Sequence, residues 1–167
     1  ARLRLDPFAP TDARELLELF RDPGVRRYML DDALVDEGWV VREIEASRSR
    51  FAEGRIGLFA VRPRSGGEGL VGIAGFRLYS GPDDLQLLYA LDPAAAGRGL
   101  AQEMVGAVVE LAFEVVGLDR VVATVDVPNR GSINLMERLG FTPFGRAQGP
   151  NHPMILFERF NSRDRRT

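Results

Sequence analysis

The stretch Leu91-Asp92-Pro93-Ala94-Ala95-Ala96-Gly97-Arg98-Gly99-Leu100-Ala101 runs from an apolar, strand-like segment into an amphipathic helical one through a loop of small residues. A helix start of this kind aims several unpaired backbone N–H groups at one point, and the helix dipole adds positive potential there, so the loop reads as an anion site or, equally, as a structural turn. Gly97, Gly99 and Ala101 offer little side chain to obstruct a phosphate, and Arg98 adds charge at the rim. A dinucleotide-binding fingerprint needs Gly-x-Gly-x-x-Gly in an early βαβ unit. Here Gln102 stands where the third glycine belongs. A P-loop needs a lysine, and the chain has none.

The rest of the alphabet narrows the chemistry further. Among 167 residues there is no cysteine, a single histidine, His152, and 22 basic side chains that are all arginine, against 24 acidic ones. Disulfides, thiolate nucleophiles and Schiff-base lysines are thereby excluded, and neither a Cys-ligated nor a multi-histidine metal centre can be assembled, so no metal is expected. What remains is carboxylates, hydroxyls, amides, arginine, backbone dipoles or a borrowed cofactor. A formal charge of −2 offers no basic field for direct nucleic-acid binding, and no apolar run approaches the roughly 20 residues that span a bilayer. No signal peptide is visible at the amino end, so the expectation is a soluble, cytoplasmic protein without a membrane partner.

These residues need elements to position them. Arg2-Leu3-Arg4-Leu5 alternates as a short strand stopped by Pro7 and Pro10; Thr11 then caps a helix whose face is Ala13, Leu16, Leu17 and Phe20. Asp22-Pro23-Gly24 breaks it, a turn runs through Met29, and a second helix carries Trp39, Val40, Ile44, Ser47 and Phe51 up to Gly54. Segments 56–61, 70–78 and 85–91 read as an antiparallel meander. A helix over 99–116 buries Leu100, Met104, Ala107, Val108, Leu111, Ala112 and Val115 and closes at Gly117. A strand over 120–127 then pairs in parallel with 85–91, followed by a helix over 132–139 and closing strands over 141–146 and 154–160. The sum is a single α/β domain over 1–160, a mostly antiparallel mixed sheet flanked by helices. A basic tail follows over 161–167.

Beyond the crossover strand lies Asn129-Arg130-Gly131-Ser132-Ile133-Asn134-Leu135-Met136-Glu137-Arg138-Leu139-Gly140-Phe141. With the loop at 96–101, which is similar to Gln/Arg-x-x-Gly-x-Ala, this stretch resembles the GNAT acetyltransferase superfamily, and within it the RimJ/RimL-type N-acetyltransferases. The resemblance implies acetyl-CoA as co-substrate and a direct transfer of acetyl to a primary amine, a protein N-terminal α-amine first and a small molecule second. It implies that Ala96, Gly97, Arg98, Gly99, Leu100 and Ala101 surround the pyrophosphate, and that the backbone of Leu91 and the side chain of Asn129 hold the pantetheine arm. The thioester is then expected where the strands over 85–91 and 120–127 part, in a parallel splayed pair, polarised by a strand N–H. Ser132 is the matched position beside the sulfur, a donor for the leaving thiolate. Family members often form homodimers, an option the sequence leaves open.

Two positions depart from the pattern. Ala96 replaces a side chain that would touch phosphate, which implies weaker CoA binding. Gln86 stands in the strand where many relatives place a glutamate, and glutamine takes no proton at neutral pH. A water chain, His152 or a carboxylate such as Asp126 is left as the base, or the acceptor arrives as free amine. Asp31, in the connection between the first helices, and His152, in the loop before the last strand, border the acceptor side by the same resemblance. From the residues alone, Asp31 and Asp32 read first as a helix-capping pair, and Tyr79 and Tyr89 as packing. A non-catalytic acyl-CoA-binding domain is the alternative of another class.

Overall fold

The alternation at the amino end becomes strand β1 (Leu3–Pro7), with Leu3 buried and Arg4 paired with Asp6 on the outer side at 2.7 Å. The computed structural model describes residues 1–162 apart from Glu68, Ser80 and Asp83; of the expected tail, Arg163 to Thr167 lie outside the described residues. β1 joins β2 (Leu58–Pro63), β3 (Gly72–Leu78) and β4 (Leu85–Leu91) in one antiparallel sheet ordered β1-β2-β3-β4. β2 and β3 are nearly continuous apolar runs because helices cover both faces of this sheet. Leu58, Ala60, Ile73 and Ala90 pack with Leu16, Phe20, Val40 and Ile44 of α1 (Ala13–Arg21) and α3 (Glu37–Ala52). Phe59, Val61, Ala74, Phe76 and Leu87 pack on the other side with Met104 and Val108 of α4 (Leu100–Leu111).

The turn expected through Met29 is a helix, α2 (Pro23–Met29). Asp22 caps it, accepting from the N–H groups of Gly24 (2.8 Å) and Val25 (3.2 Å), and Pro23 occupies the first helical position, so the apparent breaker is a start signal. α4 continues as a π-helical turn over Ala112–Val116 to Gly117, where φ is +78°. Its buried stripe is Leu100, Met104, Val105, Val108, Val109, Ala112 and Phe113, while Ala107 and Val115 are exposed. α4 packs on β1, β3 and β4 and also meets α5 (Arg130–Arg138), which rotates the stripe from the one expected.

β5 (Arg120–Asp126), β7 (Pro153–Phe160) and β6 (Thr142–Gln148) form a second antiparallel sheet, ordered β5-β7-β6. β4 and β5 lie beside each other, yet among the described residues no backbone hydrogen bond joins them. The two strands part as a splayed pair, and a side-chain bridge spans them: Thr124 Oγ1 donates to Gln86 Oε1 at 2.6 Å. The fold is therefore the expected α/β arrangement of antiparallel strands and flanking helices, with its sheet divided at the splayed strands. Among the described residues no helix is long and apolar enough to cross a membrane.

Candidate active site

The edges that face each other across the splay carry free backbone groups. Asp92 N donates to Val71 O (2.8 Å) and Tyr79 N to Asp84 O (3.1 Å), so the even-numbered residues of β4 point their backbone towards β3. By alternation the N–H and C=O of Leu85, Leu87, Tyr89 and Leu91 face the opening. On the opposite edge, Val127 N donates to Pro153 O (2.9 Å) and Asn161 N to Asp119 O (2.8 Å), which turns the backbone of Val122 and Thr124 towards the same opening. The cleft is thus lined with peptide donors and acceptors that a ligand arm can pair with as an added strand.

At the mouth of this cleft Asp92 caps a 3-10 turn over Pro93–Ala95, accepting from Ala94 N at 2.9 Å, and Ala96 N returns to Pro93 O at 3.2 Å. The N–H groups of 97–102 have no partner among the hydrogen bonds of the described residues; the next amide, Glu103 N, reaches Gly99 O at 3.2 Å. Gly97 and Gly99 hold φ values of +75° and +73°, a conformation that costs an ordinary L-residue about 1 kcal/mol or more. A Cβ on Gly97 would meet nothing within 4 Å, and one on Gly99 only the Arg2 guanidinium, at 3.6 Å. Arg2 also donates to Arg98 O (2.9 Å) and to the Glu103 carboxylate (2.8 Å), tying the loop to β1. An uncapped helix start, open space and two arginines fit a pyrophosphate. Ala96 is exposed and adds no polar contact; Leu100 is buried and Ala101 half-buried, so their backbone is what they present.

Two further groups share the α4 side of the cleft. Asn129 is the N-cap of α5: its Oδ1 accepts from Ser132 N at 3.2 Å, and its amide nitrogen makes no bond to another described residue. Ser132 lies three residues into the helix, half-buried, and its hydroxyl closes no cap. It stands near the hydroxyl of Tyr89, which is buried with no partner in hydrogen-bond geometry among the described residues. Burial pushes the Tyr89 phenol up to about 12, and the neighbouring Ser132 hydroxyl opposes that shift. Tyr89 packs against the core, as its alternation in β4 predicts, with its hydroxyl turned towards Ser132.

The other side of the splay is built from side chains on β4, β5 and two turns. Gln86 is held at both ends of its amide, accepting from Thr124 and donating to Asp84 Oδ1 at 2.8 Å. Two positions beyond Thr124 on the same strand face, Asp126 is 8% exposed and its Oδ2 has no partner among the described residues. Burial raises its carboxyl above the usual range; the charge of His152 opposes this and that of Asp31 adds to it. Asp31 and Asp32 do not cap a helix, since Asp36 caps α3 by accepting from Trp39 N at 2.7 Å. They form the turn after α2 at φ +52° and +65°, Asp32 paired with Arg26 at 3.1 Å. Asn151 Nδ2 donates to Asp31 O at 2.8 Å, and the His152 ring lies 5.9 Å from that of Tyr28, so the α2–α3 and β6–β7 turns meet above the end of β5. Arg2, Thr124, Tyr28 and Asn151 carry no motif, and nothing in the sequence marked them. Among the described residues no group of three or more His, Asp and Glu is placed to hold a metal ion.

The comparisons with known proteins agree with this fold. The uncharacterized N-acetyltransferase p20 of Bacillus licheniformis is 27% identical over 145 residues, covering 86% of this chain and 81% of that protein. Among solved structures, RimL, a ribosomal L7/L12 alpha-N-protein acetyltransferase in complex with coenzyme A, superposes with a TM-score of 0.80 at 15% identity over 96% of this chain and 94% of that one. Spermidine N-acetyltransferase from Vibrio cholerae, in complex with CoA and spermine, gives 0.77 at 16% identity over 96% of each. At such identities these structures establish the fold alone. The model of the acetyltransferase (GNAT) domain matches residues 2–142, and the chain belongs to the GNAT acetyltransferases.

Proposed function

We propose that this acetyl-CoA-dependent N-acetyltransferase passes acetyl directly to the α-amine of a protein N-terminus. The observation that carries the reading is the uncapped start of α4 at the mouth of a cleft lined by the free edges of β4 and β5. In this reading the amides of Gly97 to Ala101 take the pyrophosphate, with Arg98 and Arg2 supplying charge. The Leu91 backbone and the unengaged amide nitrogen of Asn129 hold the pantetheine arm. An outward N–H of β4 polarises the thioester carbonyl, and Ser132, beside Tyr89, donates a proton to the departing thiolate. The absence of cysteine and lysine from the sequence supports direct transfer without an acyl-enzyme.

A small-molecule amine is the second reading, favoured by the Asn151 to Asp31 bond, which draws the two acceptor-side turns together. The test is acetyl-CoA turnover followed by thiol release, with panels of N-terminal peptides and polyamines. Turnover with peptides supports the first reading and turnover with polyamines alone the second. CoA binding without turnover on any amine would make this a non-catalytic acyl-CoA-binding domain, consistent with the doubly held Gln86.

A further inference from the structure

The acceptor side of the cleft contains one group that the structure leaves unexplained. Asp126 ends β5 with its side chain on the face of Thr124, is 8% exposed, and leaves Oδ2 buried with no hydrogen bond from any described residue. Its carbonyl accepts from Asn129 N at 2.9 Å, so the turn into α5 is held through the backbone and not through the carboxyl. A buried carboxylate oxygen without a donor costs stability, and such a group persists where a cation or a transferable proton is supplied from outside. Glutamine at 86 cannot take a proton, and its amide is already engaged at both ends.

We propose that the acceptor binds as its ammonium ion against Asp126, and that Asp126 Oδ2 takes the proton that frees the nitrogen for attack. This rests on the reading of the chain as an amine acetyltransferase. One N–H proton passes to Oδ2, and the nitrogen lone pair forms the bond to the acetyl carbon. The C–S bond breaks with its electrons on sulfur, the second nitrogen proton is lost as the thiolate is protonated, and Asp126 then returns its proton to water. The charges that bear on Asp126 come from the two turns above it: Asp31 on the α2–α3 side and His152 on the β6–β7 side, while Thr124 and Gln86 beside it are neutral. Asp31 and His152 do not take the proton; they set where Asp126 titrates. Burial raises that titration, Asp31 raises it further, and His152 lowers it.

The experiment pairs binding with a pH profile, using alanylalanine amide as the acceptor. In the wild type, the productive form is carboxylate with ammonium, so the acid limb of kcat/KM belongs to Asp126. Asp126→Asn must wait for free amine. Its activity at neutral pH falls by about 10²- to 10⁴-fold, and its acid limb moves up to the α-ammonium's own range near about 8. His152→Ala shifts the wild-type limb to higher pH and Asp31→Asn to lower pH; both residues sit on surface turns, so these variants keep the test open should Asp126→Asn fold poorly. By calorimetry in the presence of CoA, Asp126→Asn binds the peptide ammonium at least about tenfold more weakly. An unmoved acid limb in Asp126→Asn, or an unmoved acid limb in both turn variants, overturns the proposal, as does undiminished ammonium binding whatever the turnover. Ammonium binding that depends on Asp126, without turnover in the wild type, supports the site and counts against the transferase reading alone.

Discussion

The two sides of the β4–β5 cleft are made of different material. On the α4 side the unengaged groups are backbone: the amides of 97–102 and the outward edge of Leu91, shaped by glycines at positive φ. Arg2, Arg98, Asn129, Ser132 and Tyr89 are the side chains added to them. On the other side nearly everything is side chain, contributed by elements far apart in sequence: Tyr28 of α2, Gln86 of β4, Thr124 and Asp126 of β5, and Asp31, Asn151 and His152 of two turns. A site made of backbone is preorganised by the fold and tolerates drift in side-chain identity, so in the proposed reading the amides of 97–102 hold the pyrophosphate without a polar side chain at position 96. A site made of side chains on turns is where specificity can change without disturbing the sheet.

The contrast can be broken at its strongest point first. Gly99→Glu sets a carboxylate against the pyrophosphate site and forces a side chain into φ +73°. CoA affinity by calorimetry is expected to fall by about 10²-fold or more, with Gly99→Ala losing less because it carries only the strain. Ser132→Ala should lower kcat by about 10²-fold with little change in the Kd for CoA, whereas Tyr89→Phe should cost a few-fold. If instead both variants weakened CoA binding and left kcat alone, the α4 side would be a binding surface only. Ala96→Arg sharpens the contrast by adding a side-chain contact to the backbone cradle, and CoA should bind about fivefold tighter, close to 1 kcal/mol at an exposed rim.

The smallest expected effect concerns the clamp behind the cradle. Burial pushes the Glu103 carboxyl up, but its bonds from the Arg2 side chain and from the backbone of Arg2 and Leu3 outweigh this and hold it below the usual range. A lowered folded pKa contributes stability above the ordinary carboxylate range that is lost as pH falls through the folded value. Glu103→Gln should therefore flatten the acid side of a Tm-against-pH curve. For Asp126 the sign is opposite, since burial raises its carboxyl. Asp126→Asn should gain stability relative to the wild type as pH rises from the ordinary carboxylate range towards neutrality. Thermal melts across that range check both.

The same division decides what could be read from the sequence. Gly97, Gly99 and Asn129 to Phe141 announce themselves because a positive-φ turn, an uncapped helix start and an Asn cap each demand particular residues at fixed spacing. The strands of the meander follow from their apolar runs. By contrast, the Pro23 that starts α2 has the same local signature as a break, and the rotated stripe of α4 depends on which elements it packs against. Thr124, Asn151 and Tyr28 reach the site through contacts 38 residues or more along the chain, to Gln86, Asp31 and His152 respectively, and no local pattern encodes such a meeting. Asp126 was legible as a carboxylate near the cleft, but its unpartnered burial is a property of the packed turns.

The central claim is direct transfer from acetyl-CoA to an amine held across the cleft, and two-substrate initial-rate kinetics test it most directly. Varying acetyl-CoA at several fixed concentrations of an N-terminal peptide should give intersecting double-reciprocal lines, with one N-acetyl peptide formed per free thiol released. Parallel lines, or thiol release that runs ahead of amide formation in a burst, would contradict it by revealing an acetylated enzyme on the way.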